Sequence, residues 1–157
     1  MLLTELLAAD RTDVRHNNGA QELDKQEALR VLAELLSHGT AVPRDTIESV
    51  LLERENLQST GIGEGVAIPH GALDKLDKQV AAVLTVPEGI DFGAIDDAKV
   101  NILVAVISPK RASGEHLKTL ARVSRLLRSK DFRERLLHAG DGQEVFKLLL
   151  SEEEAGK

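Results

Sequence analysis

The chain has no cysteine, tryptophan or tyrosine in 157 residues, and only three phenylalanines and one methionine. Without cysteine there is no disulfide, no thiolate nucleophile and no Cys-rich zinc site. So few aromatic faces argue against a module that stacks nucleic-acid bases. Basic residues are outnumbered as well: 20 Lys and Arg stand against 26 Asp and Glu, a net charge of −6. A phosphate backbone selects the opposite sign, so no nucleic-acid partner is expected. Long apolar runs are also missing. Val80–Val86 and Ile102–Ile107 are strand-sized, far short of the ~20 residues that cross a bilayer. The opening Met1-Leu2-Leu3-Thr4-Glu5-Leu6-Leu7 lacks a basic segment and carries an early glutamate, which makes a poor signal peptide. The expectation is a cytoplasmic protein with no direct membrane insertion.

What is present is an ordinary globular composition, 42% hydrophobic and 29% charged, with a core of Leu, Val, Ile and Ala. The length suits a single domain over 1–157, burying roughly 70% of its unfolded surface. Residues 2–9 are predicted to form a short amphipathic helix. Asp10 to Leu23 is polar and contains Asn17-Asn18-Gly19, the pattern of a weak strand or a loop with a tight turn. Asp24-Lys25-Gln26-Glu27 has capping-box spacing, Leu29, Leu32, Leu35 and Leu36 share one helical face, and Gly39 supplies the stop. Pro43 is expected to open a second helix with Ile47, Val50 and Leu51 inward, ending near Arg54–Asn56.

Gln79–Val86 and Lys99–Ile107 are continuous β-branched-rich runs, as in strands buried on both faces. Pro87-Glu88-Gly89 and Asp96-Asp97 punctuate the connection between them. A helix beginning at Ser113-Gly114-Glu115-His116 carries Leu117, Leu120, Ser124 and Leu127. Phe132–His138 reads as a short helix ended by Gly140. Asp141-Gly142-Gln143-Glu144 repeats the capping pattern before Val145, Phe146, Leu148 and Leu149, and the tail 152–157 is expected to fray. Helices alternating with a few strands predict an α/β domain, a sheet covered by helices on both sides.

The most informative stretch is Ser59-Thr60-Gly61-Ile62-Gly63-Glu64-Gly65-Val66-Ala67-Ile68-Pro69-His70-Gly71. Val66-Ala67-Ile68 reads as a short strand. Pro69 restricts its own φ and pushes Ile68 towards an extended conformation. Gly71 is expected to let the chain leave sharply and to remove bulk beside the imidazole. A ring held in this way suits proton transfer, metal ligation or nucleophilic work. The glycines alone could make a plain irregular connection. They are not a nucleotide loop, since no Lys-Ser or Lys-Thr follows and the strand comes after them.

Among the other histidines, His38 and His138 fall in last helical turns, where the macrodipole favours them, and His16 is assigned to solvent. His116 lies in a first turn, where a cation is disfavoured and an anion is welcomed by unpaired N–H groups. A zinc site from His70 and His116 with Glu115 or Asp74 is conceivable on residue types. It lacks the close ligand pair that metal sites commonly use. Taken together, His70, His116 and Arg54 suit a histidine that accepts a phosphoryl group. Imidazole titrates near ~6.5 and is substantially neutral for attack. A helix start and a guanidinium would hold the resulting dianion. Taken alone, Arg54 between Glu53 and Glu55 reads as a solvated surface charge.

The segment from Ser59 to Gly71 resembles the active-site segment of enzyme IIA domains of the bacterial phosphoenolpyruvate-dependent phosphotransferase system, fructose/mannitol/nitrogen-regulatory type. Ile90-Asp91-Phe92-Gly93-Ala94-Ile95-Asp96, the strand ending in Ser108-Pro109, and Glu115-His116-Leu117 are similar in kind and order. The likeness covers about Asp24 to Leu150. It implies a mixed sheet flanked by helices on both faces, with His70 as phosphoryl acceptor, His116 as assisting histidine and Arg54 beside the site. No cofactor is implied. The implied donor is a histidine-phosphocarrier protein, and the implied onward partners are regulatory targets or a IIB component. With no membrane segment, second phosphorylation domain or carrier domain in it, the chain looks most like the nitrogen-regulatory branch. A sugar-specific IIA component and an interaction module without phosphotransfer are the alternatives. The chain departs from the family pattern at Arg11–Leu23, which is polar where an apolar strand is usual, so a strand over 11–23 is left open.

Overall fold

The computed structural model describes residues 2–19 and 22–156. Strand β1 (Thr12–Val14) precedes helices α1 (Lys25–Ser37) and α2 (Arg44–Leu57). Three short strands follow, β2 (Gly61–Gly63), β3 (Val66–Ala67) and β4 (His70–Leu73), and then two long ones, β5 (Val80–Ile90) and β6 (Val100–Pro109). Helices α3 (Ser113–Leu126), α4 (Lys130–Leu137) and α5 (Gly142–Ala155) complete the order. The six strands form one mixed sheet in the order β1-β5-β6-β3-β2, with β4 also paired to β6.

The long strands are buried on both faces, as their apolar runs predict, and their period of two sorts the core. Val80, Ala82, Leu84, Leu103, Ala105 and Ile107 pack with α1 and α2. Ala81, Val83, Ile102, Val104 and Val106 pack on the opposite side with α3, α4 and α5. Helices therefore cover both faces of a mixed sheet.

The caps form as the spacing predicts. The Glu27 N–H donates to Asp24 Oδ1 at 2.8 Å, and the Glu144 N–H to Asp141 Oδ1 at 2.9 Å. Pro43 stands immediately before α2. Gly39 follows α1 for want of room and not for a left-handed turn: a methyl there would lie 2.8 Å from Cγ1 of Val80.

Four local expectations are corrected, and one that was left open, a strand within 11–23, is answered. Residues 2–9 make no amphipathic helix; 3-10 turns occupy Leu3–Glu5 and Ala9–Arg11. Tertiary bonds hold this segment instead. Glu153 accepts the N–H groups of Leu3 and Thr4 at 2.8 and 2.7 Å, and the Ala81 N–H donates to the Leu6 carbonyl at 2.9 Å. Part of 11–23 is a strand, β1, parallel to β5. Pro87-Glu88-Gly89 does not end β5. It forms a bulge, with five steps along β5 from Thr85 to Ile90 against two along β6, a position where a strand tolerates proline. Of the leucines grouped on α3, Leu117 is 67% exposed, whereas Leu127 is buried and Leu120 packs against the core beside the buried Thr119 and Val123. The tail does not fray at 152: α5 runs to Ala155 and Glu153 is buried.

Candidate active site

The site is built at the end of β6. Glu64 and Gly65, with φ of 60 and 80°, make the two-residue turn that folds β2 back on β3. Strand β3 pairs in parallel with Ile102 and Leu103 of β6, and β4 resumes the same pairing opposite Val106 to Pro109. Pro69 lies at the step between them, where its carbonyl still accepts the Val106 N–H at 3.0 Å. The register sets His70 opposite Val106 and Ala72 opposite Ser108. Val106 faces the α3–α5 core, so the alternation of the pleat turns His70 and Ser108 towards α3. The first turn of α3 carries His116 over the same spot.

The two rings meet, with centroids 5.4 Å apart and planes inclined by 54°. His70 Nδ1 lies 2.6 Å from the Ile68 carbonyl oxygen. A carbonyl only accepts, so Nδ1 carries the proton and Nε2 keeps its lone pair. His116 Nδ1 lies 2.5 Å from Ser108 Oγ. Both imidazoles are half-buried, and burial lowers the pKa of each below the usual 6.5. The charge of Arg54 pushes His70 further down, against the raising effects of the Ile68 carbonyl and Glu55, and His70 likewise depresses His116. Both rings are therefore neutral at neutral pH.

Arg54 is half-buried in the last turn of α2 and donates to the Gln58 carbonyl at 2.8 Å, so it closes that helix end while its field reaches His70. Gly71 works differently from its sequence reading. The chain continues as a strand through it, and a methyl there would run into Cγ1 of Val50 in α2. It is a close-approach glycine that lets β4 lie against α2.

His38 and His138 close α1 and α4, bonded to the Asp10 and Glu134 carbonyls. His16 is not left to solvent alone but lies 2.9 Å from the Glu88 carboxylate. Among the described residues no three His, Asp or Glu side chains group as a metal site. Asp74 lies 3.5 Å from Lys110, and Glu115 is exposed.

Sequence reasoning missed two features. Glu55, read as a surface flank, is buried; its carboxylate is 2.7 Å from Lys25 Nζ and accepts the Thr60 hydroxyl at 2.6 Å. It ties α1, α2 and the start of the Gly-rich segment together. Gln79, Ser108 and Thr119 form a buried polar group behind His116. The detectable signals were polar residues bordering apolar runs and a threonine three positions after the histidine.

Residues 11–152 match the family described as Phosphoenolpyruvate-dependent sugar phosphotransferase system, EIIA 2. The nitrogen regulatory protein of Bradyrhizobium diazoefficiens is 38% identical over 125 residues, covering 80% of this chain and 82% of its own length. The fructose-specific EIIA component of Haloferax volcanii is also 38% identical, over 122 residues, covering 77% and 79%. Among solved structures, the nitrogen regulatory protein IIA-Ntr of Neisseria meningitidis superposes with a TM-score of 0.83 at 28% identity, covering 94% of this chain and 98% of that one. The mannitol enzyme IIA of Escherichia coli, solved in complex with phosphorylated enzyme IIB, gives 0.75 at 27%, covering 92% and 97%. The paired histidines thus lie in a fold shared with both regulatory and sugar-specific relatives, and this chain belongs to the EIIA 2 family of the phosphoenolpyruvate-dependent phosphotransferase system.

Proposed function

We propose that His70 is the phosphoryl acceptor of a carrier fed by a histidine-phosphocarrier protein. The observation that carries this reading is the Nδ1–H bond to the Ile68 carbonyl, which leaves Nε2 unprotonated beside His116. The Nε2 lone pair attacks phosphorus in line, forming an N–P bond as the donor's P–N bond breaks. That electron pair returns to the donor imidazole, and no proton need move. Positive charge developing on the His70 ring is stabilised through Nδ1–H by the carbonyl. Arg54 contributes positive potential near the phosphoryl oxygens, and His116 donates to them from its own ring. The work is positioning and electrostatics, as in other phosphoryl transfers. Leu117, exposed beside His116, is available to a partner that brings its phosphohistidine to the site.

Incubation with phosphoenolpyruvate, enzyme I and a phosphocarrier tests the assignment. Acid-labile label is expected on the wild type, none on His70→Ala, and a rate lowered roughly 10²-fold on His116→Ala. Equal labelling of all three proteins would sink it, and an unlabelled wild type would favour an interaction module.

The downstream role proposed is regulatory, supported by the relatives that carry that name. A sugar-specific role has equal identity to the Haloferax relative behind it. Transfer from labelled protein to a fructose- or mannitol-type IIB component would establish the second reading.

A further inference from the structure

Behind His116 lies a chain of three buried polar side chains with a direction. The Thr119 hydroxyl donates to Gln79 Oε1 at 2.9 Å, and Gln79 Nε2 donates to Ser108 Oγ at 2.9 Å. Ser108 Oγ then stands 2.5 Å from His116 Nδ1. Ser108 is fully buried, and Gln79 and Thr119 are 7% and 8% exposed, so water does not scramble the order of donors. An amide nitrogen only donates. Ser108 thus accepts from Gln79, and among the described residues His116 Nδ1 is the one group placed to accept the proton of this fully buried hydroxyl.

The strand register and one helical repeat build this chain. Gln79 and Ser108 adjoin Val80 and Ile107, the end pair of the antiparallel β5–β6 ladder, which sets their side chains next to each other. Thr119 follows His116 by three positions, on the same face of α3.

We propose that Thr119, Gln79 and Ser108 form a one-way hydrogen-bond relay that fixes His116 as the Nε2–H tautomer. The relay is worked out from its own geometry; its catalytic meaning rests on His70 being the acceptor. Two imidazoles then present complementary Nε2 atoms, a lone pair on His70 and an N–H on His116. The assisting ring is a hydrogen-bond donor to the phosphoryl oxygens, not a base. In the opposite tautomer its lone pair would face those oxygens and repel them. Gln79, Ser108 and Thr119 are positioning residues, and none of them touches the transferred group.

Nitrogen-15 NMR of the unphosphorylated protein, above the pH at which imidazole titrates, tests the relay without any donor. In the wild type His116 Nδ1 should resonate in the unprotonated range and Nε2 in the protonated range. In Ser108→Ala and in Gln79→Met both signals should move towards averaged positions. Label transfer to His70 should slow about tenfold in kcat with KM little changed, and Ser108→Thr, which keeps the hydroxyl, should restore both readouts. A protonated Nδ1 on wild-type His116 overturns the proposal even if a variant fails to fold. Unmoved signals in the folded variants, or mixed tautomers with full transfer rate, also overturn it. An unlabelled wild type with the expected tautomer would instead refute the carrier reading and leave the relay standing.

Discussion

His70 combines a proton fixed on one nitrogen with a lowered affinity for a second. Burial is the main cause, and Arg54 adds to it. The neutral ring, the form the proposed phosphoryl transfer needs, therefore persists to lower pH than in a free imidazole. The rate of label uptake should be flat from alkaline pH down to about 6.5 and fall only below it. An inflection above that value would contradict the buried, Arg54-influenced ring. The same shift acts on stability. The unfolded chain binds protons on both histidines near 6.5 while the native state, with both values lowered, resists. Stability is thus fully present above that pH and declines as pH falls towards the native values. Urea midpoints at neutral and mildly acidic pH should diverge for the wild type, and diverge less for the His70→Gln, His116→Gln pair. Glu55 is a second residue whose environment decides its role. Glu55→Ala would strand the Thr60 donors and the partly buried Lys25 ammonium, and should cost about 2–3 kcal/mol by urea unfolding. Sequence reasoning placed Glu55 at the surface because acidic neighbours along a helix read alike until packing chooses which face turns in.

Among the elements, β4 shows how closely the site depends on packing. Its second residue, Gly71, allows Val50 of α2 to sit against the strand. Gly71→Ala should destabilise by about 1–3 kcal/mol through overpacking and displace His70. Adding Val50→Ala should recover most of the loss, and a double mutant no better than Gly71→Ala would argue against that contact. The same dependence marks what the chain disclosed before folding. The long apolar runs of β5 and β6 announced two-face burial, and Asp24 and Asp141 announced caps, since each signal is local. β1 was hard to read because Thr12, Asp13 and Val14 have no clear alternation and owe their conformation to pairing with β5. The Pro87 bulge and the exposure of Leu117 were missed because a breaker or a leucine spacing is a local cue that packing can override, while Leu120 and Leu127 do face the core.

In the whole molecule, β6 is the spine. It pairs with β5, β3 and β4, packs helices on both faces, and ends where His70, Ser108 and His116 converge. The residues that could do chemistry were visible as a Gly-rich run into His70 and as His116 in a first helical turn. Their meeting followed from the parallel register, which no single segment encodes. A phosphoryl group would add about −1.5 to −2 charges at that point, on a surface already carrying a net −6. The fold is also held at a second, distant place, where the carboxylate of Glu153 grips the amides of Leu3 and Thr4. That grip brings the beginning and end of the described fold within a short tether of each other. A version rewired into a ring there with a Gly-Ser link, then opened at the exposed Asp77–Lys78 connection, should fold and still take label on His70. Cutting instead within β6 should leave a protein that does neither.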